Sequence, residues 1–115
     1  MFIQVKAENS PFGNQDWQSE VEALVQGTLG RFAERITSVE VLISNGNGHE
    51  KAGGSDKRCL IKARVNGLEP VAIRTHAPFY DVAIADCAAK MERTLDRRLS
   101  RVADNDGRVS QSEMN

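Results

Sequence analysis

"KRCLIKARVNGLEPVAIRTH", residues 57–76, decides the fold. Its first nine residues alternate. Cys59, Ile61, Ala63 and Val65 take one face, and Arg58, Leu60, Lys62 and Arg64 take the other. Period-two alternation marks a strand with one buried face. Asn66–Gly67 is a hairpin turn signal, and Pro70 ends the break. Alternation then resumes, with Val71, Ile73 and Thr75 inward and Arg74 and His76 outward. The stretch is therefore an antiparallel pair whose outer face is basic.

Working outward, "ITSVEVLIS" (36–44) has the same period, with Val39, Val41 and Ile43 inward and Glu40 and Ser44 outward. "FIQVKA" (2–7) is a short first strand, with Ile3, Val5 and Ala7 on its inner side. Between them the period changes. Trp17, Val21, Leu24, Val25, Thr28, Leu29 and Phe32 recur at steps of three and four, which predicts an amphipathic helix from about Gln15 to Ala33. Asp16, Glu20 and Glu22 suit its N-terminal end, and Arg31 and Arg35 its C-terminal end. A second helix runs from about Phe79 to Val102, with Ile84, Cys87, Ala88, Met91, Leu95, Leu99 and Val102 as its buried stripe. The order β-α-β-β-β-α predicts an α+β two-layer sandwich, a four-stranded mixed sheet with two helices on one face. The first two strands run parallel if adjacent, and the rest form an antiparallel meander. Residues 103–115, "ADNDGRVSQSEMN", are polar and aperiodic and are expected to be a disordered C-terminal tail after a single domain, 1–102.

The 115 residues carry a net charge of −1, but the charge is sorted along the chain. Residues 1–56 hold four basic and eight acidic residues, 57–101 hold ten and five, and 102–115 hold one and three. Five of the fifteen basic residues fall in "KMERTLDRRLSR" (90–101). Lys90, Arg93, Arg97 and Arg101 follow steps of three, four and four and so share one helix face, with Arg98 at its border. Glu92 and Asp96 lie on an adjacent strip, where they can pair with Arg93 or Arg97. Sorted positive charge on an otherwise neutral chain points to a polyanion.

Other chemistries find little support. "NGNGHEKAGGSD" (45–56) lacks the Gly-Lys-Ser/Thr ending of a phosphate-binding loop and reads as a mobile connection. His49 has no second His one turn on, and His76 reads as an exposed strand residue. Cys59 and Cys87 sit among apolar neighbours and read as reduced, buried thiols that approach each other across the layers. No catalytic set, metal spacing or cofactor motif is evident, so the chain is read as non-catalytic, with no cofactor and no small-molecule substrate. The N-terminus lacks the zones of a signal peptide, and no apolar run is long enough to span a bilayer. A cytoplasmic protein is expected.

Four segments in order, "FIQVKAENS" (2–10), "RFAERITSVEVLIS" (31–44), "DKRCLIKARVNGLEPVAI" (56–73) and "DVAIADCAAKMERTLDRRLSR" (81–101), resemble the ribosome hibernation promoting factor and ribosome-associated inhibitor A family, also called the sigma-54 modulation family. The resemblance covers residues 1–101. It implies the same β-α-β-β-β-α sandwich and binding in the channel between the head and body of the small ribosomal subunit. There such proteins overlap messenger and transfer RNA and silence idle ribosomes under stress. The family's last helix carries K-L-x-R-Q-L-x-K and further lysines. Lys90, Arg93, Arg97 and Arg101 match its basic positions, while Leu99 replaces one lysine. The chain resembles the family's short form, or a fragment of a long one that continues into a second domain.

The RNA-binding residues expected are therefore Lys90, Arg93, Arg97, Arg98 and Arg101, with Arg58, Lys62, Arg64 and Arg74 as a second, smaller contribution. With few aromatic residues, RNA shape would be read more than sequence. Trp17 falls on the buried stripe, which leaves Tyr80 as the stacking candidate. The competing reading is an adaptor that modulates a transcription factor through the outer sheet face, where Phe2, Leu42 and Leu60 lie. A weak homodimer is the other use of that face.

Overall fold

The computed structural model describes residues 1–7, 16–45 and 57–111. The sheet is built from β1 (Phe2–Ala7), β2 (Ile36–Asn45), β3 (Lys57–Val65) and β4 (Val71–Ala77), in that spatial order. β1 pairs parallel to β2, and the other two pairings are antiparallel. Helices α1 (Asp16–Leu29) and α2 (Tyr80–Gln111) pack on one face, α1 against β1 and α2 against β3 and β4. This is the α+β sandwich that the alternation predicts. The connecting segments 8–15 and 46–56, including the expected mobile loop, lie outside the described residues, as do 112–115.

The core follows from the periods. Val39, Val41, Ile43, Cys59, Ile61, Ala63 and Val65 are buried from the sheet side. Val21, Val25, Leu29 and Phe32 meet them from the α1 side, and Ala83, Ile84, Cys87, Ala88, Met91, Leu95 and Leu99 from α2. Ile36 is also buried, although strict alternation from Val39 would turn it outward. The register shifts between Ile36 and Ser38, so one extra residue, Thr37, is accommodated and both Ile36 and Val39 point inward.

Two helix ends differ from the periodic reading. α1 stops at Leu29 and a 3-10 turn, Gly30–Phe32, carries Phe32 into the core. Gly30 is a poor helix former, and the tighter turn re-aims the last apolar residue. α2 continues as helical backbone to Gln111, about 48 Å in all. The apolar stripe marks only the part of a helix that packs. A propagating helix can outrun its stripe, and "ADNDGRVSQ" offers no period by which to see it.

At the hairpin, Leu68 N–H donates to the Val65 carbonyl at 3.1 Å. Gly67 takes the third position of that turn with φ 88°, a conformation that costs an L-residue with a side chain. Between the layers, the buried Thr75 hydroxyl donates to the Ala83 carbonyl at 2.7 Å. The Cys87 thiol lies 3.2 Å from the Ile73 carbonyl and 3.6 Å from that of Cys59. Both cysteines are free and buried. The hydrogen bond with Cys87, and then burial, pushes the Cys59 thiol up from its ordinary pKa. It is thus held as the protonated, unreactive form at neutral pH.

Two outcomes are expected. Gly67→Ala should lower stability by about 1–2 kcal/mol, seen as a lower urea midpoint with an unchanged slope. Cys59 should react slowly with a thiol reagent in the native protein and completely in denaturant; prompt native labelling would contradict its place in the core.

Candidate nucleic-acid interface

Burial of Leu95 and its stripe fixes the rotation of α2. At about 100° per residue, Lys90, Arg93, Arg97 and Arg101 then fall about 160–240° from Leu95, on the side away from the sheet. All four are exposed, as is Arg98. Arg98 lies about 60° from Leu95 on the flank facing away from α1, apart from the other four.

Two carboxylates of the helix, Glu92 and Asp96, are turned elsewhere. Glu92 and Asp96 sit about 60–100° from Leu95 on the α1 side. There they meet Arg31 of the 3-10 turn, with Glu92 3.2 Å from its Nε and Asp96 3.4 Å from its Nη2. The Arg31 guanidinium also covers the Phe32 ring, 4.5 Å from its centroid. The sequence suggests Arg93 or Arg97 as partners for these acids, and the structure gives Arg31 instead. Asp86 pairs with Lys90 at 3.6 Å one turn along. Among the described residues, no ion pair engages Arg93, Arg97, Arg98 or Arg101. Lys90 is partly neutralised, and Arg93, Arg97 and Arg101 of the stripe have no ion-pair partner among the described residues.

The outer sheet face is a second basic surface, on the opposite layer. Its cross-strand rows follow from the register. Lys6, Leu42, Leu60 and Arg74 form one row; Gln4, Glu40, Lys62 and Ala72 the next; Ser44, Arg58 and His76 a third. Arg64 pairs with Ser38 beyond them. Glu40 lies opposite Lys62, yet its carboxylate reaches diagonally to Lys6 at 3.5 Å. Arg58, Lys62, Arg64 and Arg74 are all exposed. Arg58, Arg74 and His76 surround a shallow cleft of about 320 Å³ floored by half-buried Leu42 and Leu60. Among the described residues of this face, the exposed large apolar side chain is Phe2, at 66%.

Tyr80, the stacking candidate, lies at the start of α2. It is half-buried, packs against the core and lines an apolar cleft of about 150 Å³ between α1 and α2 with Trp17, Val21, Leu24 and Ile84. The Lys57 ammonium lies 5.6 Å from its ring centroid, and burial raises the pKa of its hydroxyl. The neighbouring Phe79 is the exposed ring, at 65%. Sequence reasoning passed over it. The signal was available in the helix phase, since Phe79 stands three and seven residues before Val82 and Asp86 on the outward side of α2.

Among the described residues, no group of His, Cys, Asp or Glu could hold a metal ion, and no helix is long and apolar enough to cross a membrane. The molecule is thus a small two-layer α+β protein with a basic helix face and a basic sheet face. No family model matches the sequence, and no curated protein is significantly similar to it. Among the solved structures that share its fold are the following two. A ribosomal subunit interface protein from Coxiella burnetii superposes with a TM-score of 0.64 at 13% identity, over 87% of this chain and 99% of that one. The N-terminal domain of Protein Y from Thermus thermophilus gives 0.64 at 18% identity, over 84% and 98%. At these identities the shared property is the fold.

The role of Arg31 is testable directly. Arg31→Ala should cost no more than about 1 kcal/mol of stability but should weaken retention on an immobilised polyanion such as heparin. The variant loses one cation and releases two carboxylates beside Arg93 and Arg97.

Proposed function

We propose that this protein associates with the small ribosomal subunit, contacts rRNA of the decoding channel through α2, and inhibits translation on idle ribosomes. The reading is supported by the ordered sequence resemblance, by a fold shared with a protein named for the ribosomal subunit interface, and by the α2 surface. The observation that carries it is the last. Arg93, Arg97 and Arg101 form an exposed stripe, and the acids that would neutralise it are bound to Arg31.

Phosphate neutralisation supplies the affinity. Each arginine offers a planar fork of donors to phosphate oxygens, and each contact releases counterions from the RNA. No bond is made or broken, so the protein acts by occupancy, in the cytoplasm where ribosomes work. Residues 1–102 form the binding domain in this reading. The outer sheet face adds a lesser share through Arg58, Lys62, Arg64 and Arg74. The helix stripe dominates because its charges are denser. An adaptor or homodimer role for the sheet face draws less support, since Leu42 and Leu60 are half-buried and ringed by Arg58, Arg74 and His76.

Co-sedimentation with purified small subunits across a salt series tests the proposal. Replacing Arg93, Arg97 and Arg101 together with Glu should abolish association and leave the fold intact, because all three side chains are solvent-exposed. Arg93→Ala/Arg97→Ala should lower the slope of log affinity against log salt by about 1.4, two single-strand phosphate contacts. Arg58→Ala/Lys62→Ala should lower it less. A larger loss in the sheet variant would move the site to the strands, and wild-type binding by the folded triple variant would refute the reading altogether.

A further inference from the structure

The outward face of α2 does not begin with charge. Read from its N-terminal end, the face runs Phe79, Val82, Asp86, Lys90, Arg93, Arg97, Arg101, in steps of three and four. Phe79 is 65% exposed and Val82 48%. Asp86 and Lys90 form a pair and nearly cancel. An apolar tip therefore continues, after one neutral turn, into a cationic track with no ion pair among the described residues. From Phe79 to Arg93 is about 21 Å along the axis.

Single exposed apolar side chains are common and need no explanation. The backbone that carries this one is held in place. The Phe79 carbonyl accepts the Ala83 N–H at 3.0 Å, which ties its backbone to the first turn of α2. Pro78 fixes the backbone just before it, and Val82 follows three residues on along the same face. With its backbone held, the ring has only two rotatable bonds to order, so it loses little entropy when a partner lies on it.

The partner is constrained by size and by charge. Two side chains are far short of the roughly 800 Å² per partner of a stable protein interface, but one aromatic face is the area that a nucleobase covers. The adjoining arginines select a chain of phosphates. We propose that Phe79 is a base-stacking residue, and that α2 binds one RNA segment with an unpaired base on Phe79 and phosphates on Arg93, Arg97 and Arg101. This rests on the RNA-binding reading above and assigns it a further residue with a different chemistry. Stacking on a ring tolerates any base, so the contact adds affinity without sequence preference.

Stacking and phosphate contact separate in a salt series, because only the second releases counterions. Phe79→Ala should weaken binding to small subunits by about 5- to 150-fold, the range for one stacked base, with the salt slope unchanged. Phe79→Trp should retain affinity, and its added indole fluorescence should be quenched by oligouridylate but not by an abasic ribose-phosphate oligomer of equal length. Wild-type affinity in folded Phe79→Ala overturns the stacking role. So does a fall in slope, which would mean that Phe79 only places the phosphate contacts. Neither result touches the arginine stripe, whose own failure is the persistence of binding in the Arg93/Arg97/Arg101→Glu variant. Absence of wild-type binding to small subunits would remove both.

Discussion

Burying Ile84, Cys87, Ala88, Met91, Leu95 and Leu99 against β3 and β4 leaves α2 no rotational freedom. Every other side chain of the helix is then assigned a direction. Turning α2 by one residue's worth of arc would lift Leu95 and Leu99 into water and push Glu92 toward the core. Each full burial of such a side chain is worth about 1.5–3 kcal/mol, and an unpaired buried carboxylate costs more. The apolar stripe thus sets the electrostatics, although it contains no charge. Thr75, by bonding the Ala83 carbonyl, and Cys87, by bonding the Ile73 carbonyl, fix the helix along its axis as well.

With the rotation fixed, the two signs of charge separate. Glu92 and Asp96 of α2 face α1, where Arg31 receives both. Lys90, Arg93, Arg97 and Arg101 face water. An exposed ion pair contributes little to stability, so the Arg31 cluster is a weak staple between the helices. Its larger effect is on the neighbouring field. Within a Debye length of about 8–10 Å, carboxylates free to reach Arg93 and Arg97 would cancel much of their pull on a polyanion. A modest interaction energy thereby decides the sign of a surface.

The parts of this structure that could be read from the sequence are those governed by local periods. β3, β4 and their turn follow from alternation and Asn66–Gly67, and the core stripe of α2 follows from its three- and four-residue steps. The β2 irregularity could not be read, because Ile36 and Thr37 look like ordinary strand residues and the shift shows only in the pairing with β3. The Arg31 pairs were equally out of reach, since they join residues 61 and 65 positions apart across two helices. Tyr80 and Phe79 differ by one position, and a single step at a helix start exchanges core for solvent. The basic faces were visible as patterns of charge, whereas which of their members are free of partners depends on contacts that only the fold creates.

A net charge near zero is compatible with binding a strongly charged partner because attraction depends on the nearest surface. The three cations of the α2 stripe stand on one side of the molecule. Glu20 and Glu22 of α1 are exposed, and Asp81 shares the rim of the cleft between the helices with Glu20. Phosphate would draw in the stripe and repel this acidic rim, so sorted charge selects an orientation as well as a partner. A uniformly basic domain of the same size would hold RNA in many poses. Sorting sacrifices part of the gross attraction for a defined one, and the defined pose is what would bring an exposed ring at the far end of the same helix face against RNA.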